Sequence, residues 1–283
     1  MRYLFPLLAL LSCSADNIPQ EEDVLRFTAI PDTNSAELTE KFTPVAAYLS
    51  EQLGRPVEYV ATSDYSASVE MFKNGDVHFA WFGGLSGAQA RAAVPGSQAI
   101  AQGVEDPNFK TYFVANENFS LARSESFPME LRNASFTFGS AKSTSGRLMP
   151  EHFIKQNTGE EAPDFFGKEN SYSGSHDKTA KLVEAGTFQA GAVNYLTYER
   201  MVKEGALDPK KCRIVWVTPG YPDYNWTAHG DLNPELIENI QKALVGMNSP
   251  KLLKAMDRPN GLIPATNADF QPIHDLASEL GFL

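Results

Sequence analysis

A chain of 283 residues, 42% hydrophobic and 21% charged, is long enough for two lobes and apolar enough to give each a core, which excludes disordered and fibrous classes. Its 35 acidic residues against 24 basic ones leave a net charge of −11, the wrong sign for a surface that neutralises a phosphate backbone, so nucleic acid is not an expected partner. Beyond the first dozen residues no apolar run approaches the roughly 18 to 20 needed to span a bilayer.

The N-terminus reads as an address. Met1-Arg2-Tyr3 supplies a positive charge, residues 4–11 are apolar, and Ser12-Cys13-Ser14-Ala15 follows at once, the pattern of a short export signal. Leu10-Leu11-Ser12-Cys13 sets a small residue directly before a cysteine and is similar to the lipobox of bacterial lipoproteins. Cys13 is then the lipidation site, residues 1–23 are signal and tether, and a lipid anchor is the only expected contact with the membrane. An ordinary secretory signal with a chance cysteine is the alternative. Cys212 is left alone, so no disulfide is expected, and no CxxC or HExxH spacing points to a metal or other cofactor.

From residue 25 the body alternates strand-like and helix-like stretches. Residues 25–30 alternate apolar and polar and end at Pro31, a first strand. Leu38, Phe42, Val45, Ala46 and Leu49 fall near helical spacing in a helix over 37–53 that Gly54 closes. A strand at 57–61, a helix at 65–73 capped by Ser63 or Asp64, a turn at Asn74-Gly75-Asp76, a strand at 77–81 and a helix at 85–93 follow. The rhythm restarts at 127–131, 135–138, 146–155, 177–185, 190–193 and 195–202, which implies a second lobe. Residues 110–120 read as the crossing into it and 214–230 as the crossing back. That gives lobe 1 as 24–118 plus 226–283 and lobe 2 as 119–225, with last helices at 235–247 and 273–280. Such an α/β chain binds ligands beyond the carboxyl ends of its strands.

Two segments are placed to do so. Phe136 to Phe138 read as a strand, Ser143-Thr144-Ser145 as a loop of hydroxyls, and Gly146 opens a helix. Orphan N–H groups and the helix dipole at such a start, joined by three hydroxyls, suit a tetrahedral oxyanion, although a hydroxyl-rich loop also serves as a plain cap. Ser173-Gly174-Ser175-His176-Asp177 repeats the design ahead of the next helix, with an imidazole N–H for an anion oxygen and a carboxylate to cap the helix or to accept a proton from an acidic ligand hydroxyl.

Together with Asp64-Tyr65, Trp81-Phe82-Gly83-Gly84 and Pro150, these motifs resemble the phosphonate-binding family of ABC transporter solute-binding proteins, in the family's order from about Leu25 onward. The resemblance implies a bilobal periplasmic-binding-protein fold of type II, two mixed-sheet lobes joined by a two-segment hinge. It also implies a monomer outside the cytoplasmic membrane that closes on a small oxyanion, delivers it to a permease and catalyses nothing. It places the anion site on Ser143, Thr144, Ser145, His176 and Asp177, with Tyr65 and Tyr112 from the first lobe or the crossing. Of the two carboxylates that hold a ligand amine in aminophosphonate binders, one position carries Asn194 here, a departure, and Asp223 matches the other. Relatives labelled as selenate binders leave a selenate or sulfate ligand as the alternative to phosphonate, phosphite or phosphate. A hydrolase built on Ser145, His176 and Asp177 is the rival class, against which stands the adjacency of His176 and Asp177; a lipoprotein that only binds another protein would need an exposed apolar patch.

Overall fold

The computed structural model describes residues 24–283, so Cys13 and the expected signal and tether lie outside the described residues. β1 (Leu25–Ala29) leads to α1 (Ser35–Leu53), whose first N–H groups are capped by Asn34 and whose end is turned by Gly54 at φ 64°. β2 (Val57–Tyr59), α2 (Tyr65–Lys73), β3 (Phe79–Phe82), α3 (Gly84–Ala93) and β4 (Gln98–Gly103) follow. β5 (Thr111–Asn116), β6 (Phe136–Phe138), a π-helical turn at Thr144–Leu148 running into α4 (Met149–Thr158), and α5 (Ala162–Phe166) come next. Then come β7 (Ser171–Tyr172), α6 (His176–Glu184), β8 (Ala190–Asn194), α7 (Tyr195–Lys203) and β9 (Cys212–Val217). β10 (Asn225–Ala228), α8 (Pro234–Val245), α9 (Pro250–Ala255), β11 (Leu262–Pro264) and α10 (Gln271–Glu279) complete the order.

The strands form two sheets, β11-β4-β10-β3-β1-β2 and β7-β6-β8-β5-β9. Both are mixed. β1 runs parallel to β2 and β3 while β10 is antiparallel to β3 and β4; β6 runs parallel to β7 and β8 while β5 is antiparallel to β8 and β9. Trp226 on β10 is fully buried among Phe27, Phe79 and Trp81 in the first lobe, and Phe113, Phe127 and Trp216 stack edge to face in the second. The expected α/β architecture of two mixed sheets is present.

Two expected segments differ. Residues 111–116, read as part of the crossing and assigned to lobe 1, are a strand of the second sheet paired on both sides. Residues 127–131 form no strand: Pro128 has no N–H to give a ladder, and Met129–Leu131 is a single 3₁₀ turn. The crossings therefore meet at Phe109 and Tyr221, whose backbones exchange two hydrogen bonds of 2.9 and 3.0 Å. Beside them Gly220 approaches Asn108 so closely that a Cβ would lie 1.5 Å from its Oδ1. Beneath the crossings Asp106, fully buried, accepts from Arg258 Nε at 2.8 Å and Nη2 at 2.7 Å, and its carbonyl accepts the Asp223 N–H at 3.1 Å. Arg258 is enclosed by the rings of Trp81, Phe109 and Tyr224, so both crossing segments are fastened to the first lobe around one buried ion pair.

Candidate functional site

Several helix N-termini converge where the two lobes meet. Ser143, Thr144 and Ser145 are 2%, 1% and 1% exposed. Ser143 caps the π-helical turn, its Oγ accepting the Gly146 N–H at 2.9 Å. Thr144 Oγ1 accepts the Leu85 N–H of α3 at 3.0 Å, a bond between lobes. The Ser145 carbonyl accepts from Thr111 Oγ1 at 2.8 Å, while its own hydroxyl has His176 Nε2 as partner at 3.4 Å, a position matched by Ser143 Oγ at 3.4 Å. Gly146 has to be glycine for this approach, since a Cβ would sit 2.9 Å from Ser143 Oγ and 3.0 Å from His176 Cε1.

His176 is fully buried and opens α6. Its backbone N–H crosses to the Asp32 carbonyl at 3.0 Å, and its Nδ1 accepts the Asn194 N–H at 3.2 Å. An Nδ1 that accepts leaves the ring proton on Nε2, facing the two serine hydroxyls. Burial lowers the imidazole to about 3, so at neutral pH it is an uncharged Nε2–H donor.

The first lobe and the return crossing supply two orphans. The Tyr65 hydroxyl, at the start of α2, is buried with no hydrogen-bond partner, and burial followed by the charge of Asp32 holds it protonated far above neutrality. Asp223, 1% exposed, accepts the Gly84 N–H on Oδ1 at 2.9 Å and leaves Oδ2 buried without a partner. Burial pushes its carboxyl up to about 7. Gly83 lies between the lobes here, where a Cβ would meet Thr144 Oγ1 at 3.1 Å and Asp223 Oδ1 at 3.2 Å. Buried polar atoms without partners are costly, and two of them beside a neutral imidazole donor and serine hydroxyls describe a place built for a polar guest with several acceptor oxygens.

Not every expected residue is drawn in. Tyr112 packs on Tyr195 and Tyr198, and its hydroxyl donates to Glu199 at 2.6 Å, away from the serines. Its neighbour Thr111 takes the inward position, as strand alternation requires. Asp177 is half-buried and accepts from the Ser175 hydroxyl, which makes it part of the α6 start instead of a free carboxylate. Asn194 does reach the lobe junction, but its Oδ1 caps α7 through the Thr197 N–H at 2.7 Å and its Nδ2 donates to the Tyr224 hydroxyl at 3.1 Å. Tyr224 in turn donates to Asp32 Oδ2 at 2.8 Å, and burial raises the Asp32 carboxyl to about 6. Asp32 and Tyr224 were not among the expected site residues. The only signal for Asp32 is its place after Pro31, at the carboxyl end of the first strand. No cluster of His, Cys, Asp and Glu suited to a metal occurs among the described residues.

Residues 27–270 match the family model described as ABC transporter, phosphonate, periplasmic substrate-binding protein. The chain belongs to this family. Among individual relatives of this phosphonate-binding family, the probable ABC transporter phosphite binding protein PhnD1 of Prochlorococcus marinus (strain MIT 9301) is 39% identical over 267 residues, 91% of this chain and 90% of its own. The structure of PhnD1 from Prochlorococcus marinus (MIT 9301) in complex with methylphosphonate superposes with a TM-score of 0.86 at 36% identity, covering 92% of this chain and 99% of that one. The phosphate-import protein PhnD of Mycolicibacterium smegmatis is 25% identical, over 95% of this chain and 92% of its own. The protein is thus a periplasmic substrate-binding component of an ABC transporter, with the bilobal fold that family uses.

Proposed function

We propose that the chain captures a phosphorus oxyanion of the methylphosphonate, phosphite or phosphate kind between its lobes, closes over it and hands it to the permease of an ABC importer. The observation that carries this reading is the meeting of the Tyr65 hydroxyl and Asp223 Oδ2, both buried and unpartnered, with the neutral His176 Nε2–H and the hydroxyls of Ser143 and Ser145. The donors suit the oxygens of a tetrahedral anion. The carboxyl suits an acidic P–O–H, which sulfate and selenate lack at this pH. A relative that binds methylphosphonate in the same fold supports the class of ligand.

A binding role, without catalysis, is favoured by the same histidine. A hydrolytic triad needs Nδ1–H donating to a carboxylate, whereas here Nδ1 accepts a backbone N–H and Asp177 is occupied by Ser175. We further propose a monomer, with residues 24–110 and 225–283 as the first lobe and 111–217 as the second, as the sheets divide them. The lipid anchor on Cys13 remains the reading of the export signal. Cys13→Ser should move the protein from the membrane fraction to the soluble one, and unchanged partitioning would count against lipidation.

Isothermal titration with methylphosphonate, phosphite, phosphate, sulfate and selenate tests the central claim. Saturable binding is expected for at least one phosphorus oxyanion, with weaker binding of sulfate and selenate. Tight binding of selenate, with none of the three phosphorus ligands detected, would overturn it.

A further inference from the structure

A second set of contacts joins the lobes well away from the serines. Arg200, on α7 of the second lobe, reaches Asp257 Oδ2 with Nε at 3.2 Å and Glu37 Oε1 with Nη1 at 3.3 Å. Glu37 lies on α1 and Asp257 lies two residues beyond the end of α9, two helices of the first lobe that pack on each other. Arg200 also touches Glu204 at the end of its own helix at 3.3 Å, and Lys254 of α9 approaches Glu204 at 3.8 Å. The Arg200 side chain is only 12% exposed, so these pairs are partly shielded from solvent. Asp257 holds its place in a left-handed backbone conformation, φ 53°, which a non-glycine residue adopts at a cost. In it the Asp257 carbonyl accepts from Arg258 Nη1 at 3.3 Å while the carboxylate faces Arg200. The turn is therefore strapped to the buried pair beneath the crossings on one side and presents an anion to the second lobe on the other.

We infer that Arg200, with Asp257 and Glu37, is a latch that stabilises the closed arrangement independently of the ligand and so sets how tightly and how long the ligand is held. The inference rests on the hinge-closure reading proposed above. Separation of the lobes would break the cross-lobe pairs and leave the Arg200–Glu204 pair intact, because only the latter lies within one lobe. Apparent affinity scales with the fraction of molecules able to close, so a contact that touches no ligand atom still appears in the dissociation constant.

The sign of the effect separates a latch from a long-range field. Removing the negative charge of Asp257 or Glu37 should tighten the binding of an anion if only the field mattered. A latch requires the opposite. Asp257→Asn, which suits the left-handed backbone, is expected to weaken methylphosphonate binding about three- to fivefold, chiefly through faster release, as a partly buried ion pair allows. Glu37→Gln should shift it in the same direction, and Arg200→Gln combined with Asp257→Asn should be no worse than Arg200→Gln alone. Small-angle scattering of the unmodified protein should show a smaller radius of gyration with methylphosphonate, and ligand-free Asp257→Asn a larger one than the unmodified protein. Unchanged or tighter binding by both carboxylate variants, with closure of the unmodified protein intact, would overturn the latch and leave the hinge reading standing. An unmodified protein that binds methylphosphonate without compaction would overturn hinge closure and the latch with it.

Discussion

Tyr65→Phe is expected to weaken methylphosphonate binding about 10- to 150-fold while the melting temperature of the ligand-free protein stays level or rises, since a hydrogen bond to a charged group is worth about 1.5 to 3 kcal/mol. The phenol is 1% exposed and its hydroxyl, beside Ser143, makes no well-formed hydrogen bond, so its removal takes away a buried polar atom that the protein leaves poorly satisfied. The ring that fills the space is unchanged. A ligand oxygen is the only reason for the hydroxyl in this reading, and titration calorimetry alongside differential scanning calorimetry separates the two effects. Ser145→Ala should also weaken binding, but because its hydroxyl meets both the His176 ring and Tyr221, some loss of stability should accompany it. Ser143→Ala also loses the cap on the Gly146 N–H, which costs about 0.5 to 2 kcal/mol of stability. A Tyr65→Phe protein with undiminished affinity would remove the phenol from the site.

The second large effect concerns pH and Asp223. Its carboxyl, about 7 in the folded protein against an ordinary 3.8, binds a proton in the native state over a range where the unfolded chain has lost it. Native stability from this group therefore falls as pH rises from about 4 to about 7 and levels off above, since the native state holds the extra proton throughout that window. Asp223→Asn removes the dependence, so the variant should gain melting temperature over the unmodified protein, more at pH 8 than at pH 5. Asp32, raised to about 6, adds a slope of the same sign but is bonded to Tyr224 and present in both proteins. His176 titrates near 3, below the window.

Ligand selectivity follows from the same proton. A fully deprotonated anion cannot face an ionised carboxylate without one proton between them, and sulfate and selenate bring none. Above about pH 7 their affinity should fall about tenfold per pH unit, the slope of one proton taken up on binding. Methylphosphonate carries an acidic hydrogen of its own near neutrality and should hold its affinity further up the scale. In Asp223→Asn the selenate slope should flatten. A selenate affinity that does not change between pH 7 and 9 in the unmodified protein would mean that Asp223 does not face the ligand.

Much of this was legible in residue order. Alternating apolar spacing and glycine stops located most helices, and the hydroxyl-rich starts at Ser143 and Ser175 were visible as such. What residue order could not provide was direction. On a strand only one of two neighbours points inward, and nothing in Lys110-Thr111-Tyr112-Phe113 says that Thr111 is the one. On a helix, consecutive side chains diverge by about 100°, so His176 facing the serines turns Asp177 toward Ser175. The orphaned carboxylate therefore lies in the return crossing, where only the family resemblance points to Asp223. Residues 111–116 read as extended chain, which serves a crossing as well as a strand, and only pairing with β8 and β9, remote in sequence, makes them a strand.

The insertion of β10 between β3 and β4 bears on how the chain is made. Synthesis and export proceed from the N-terminus, so Phe27, Phe79 and Trp81 emerge long before Trp226, the side chain they enclose. β4 ends at Gly103 and β10 begins at Asn225, and until then the first sheet is split with two unpaired edges. The second lobe, by contrast, draws every strand from the uninterrupted stretch between Thr111 and Val217. It can mature as a unit while the first waits, and the interval is when a holding chaperone or a protease would find an aromatic, strand-edged surface.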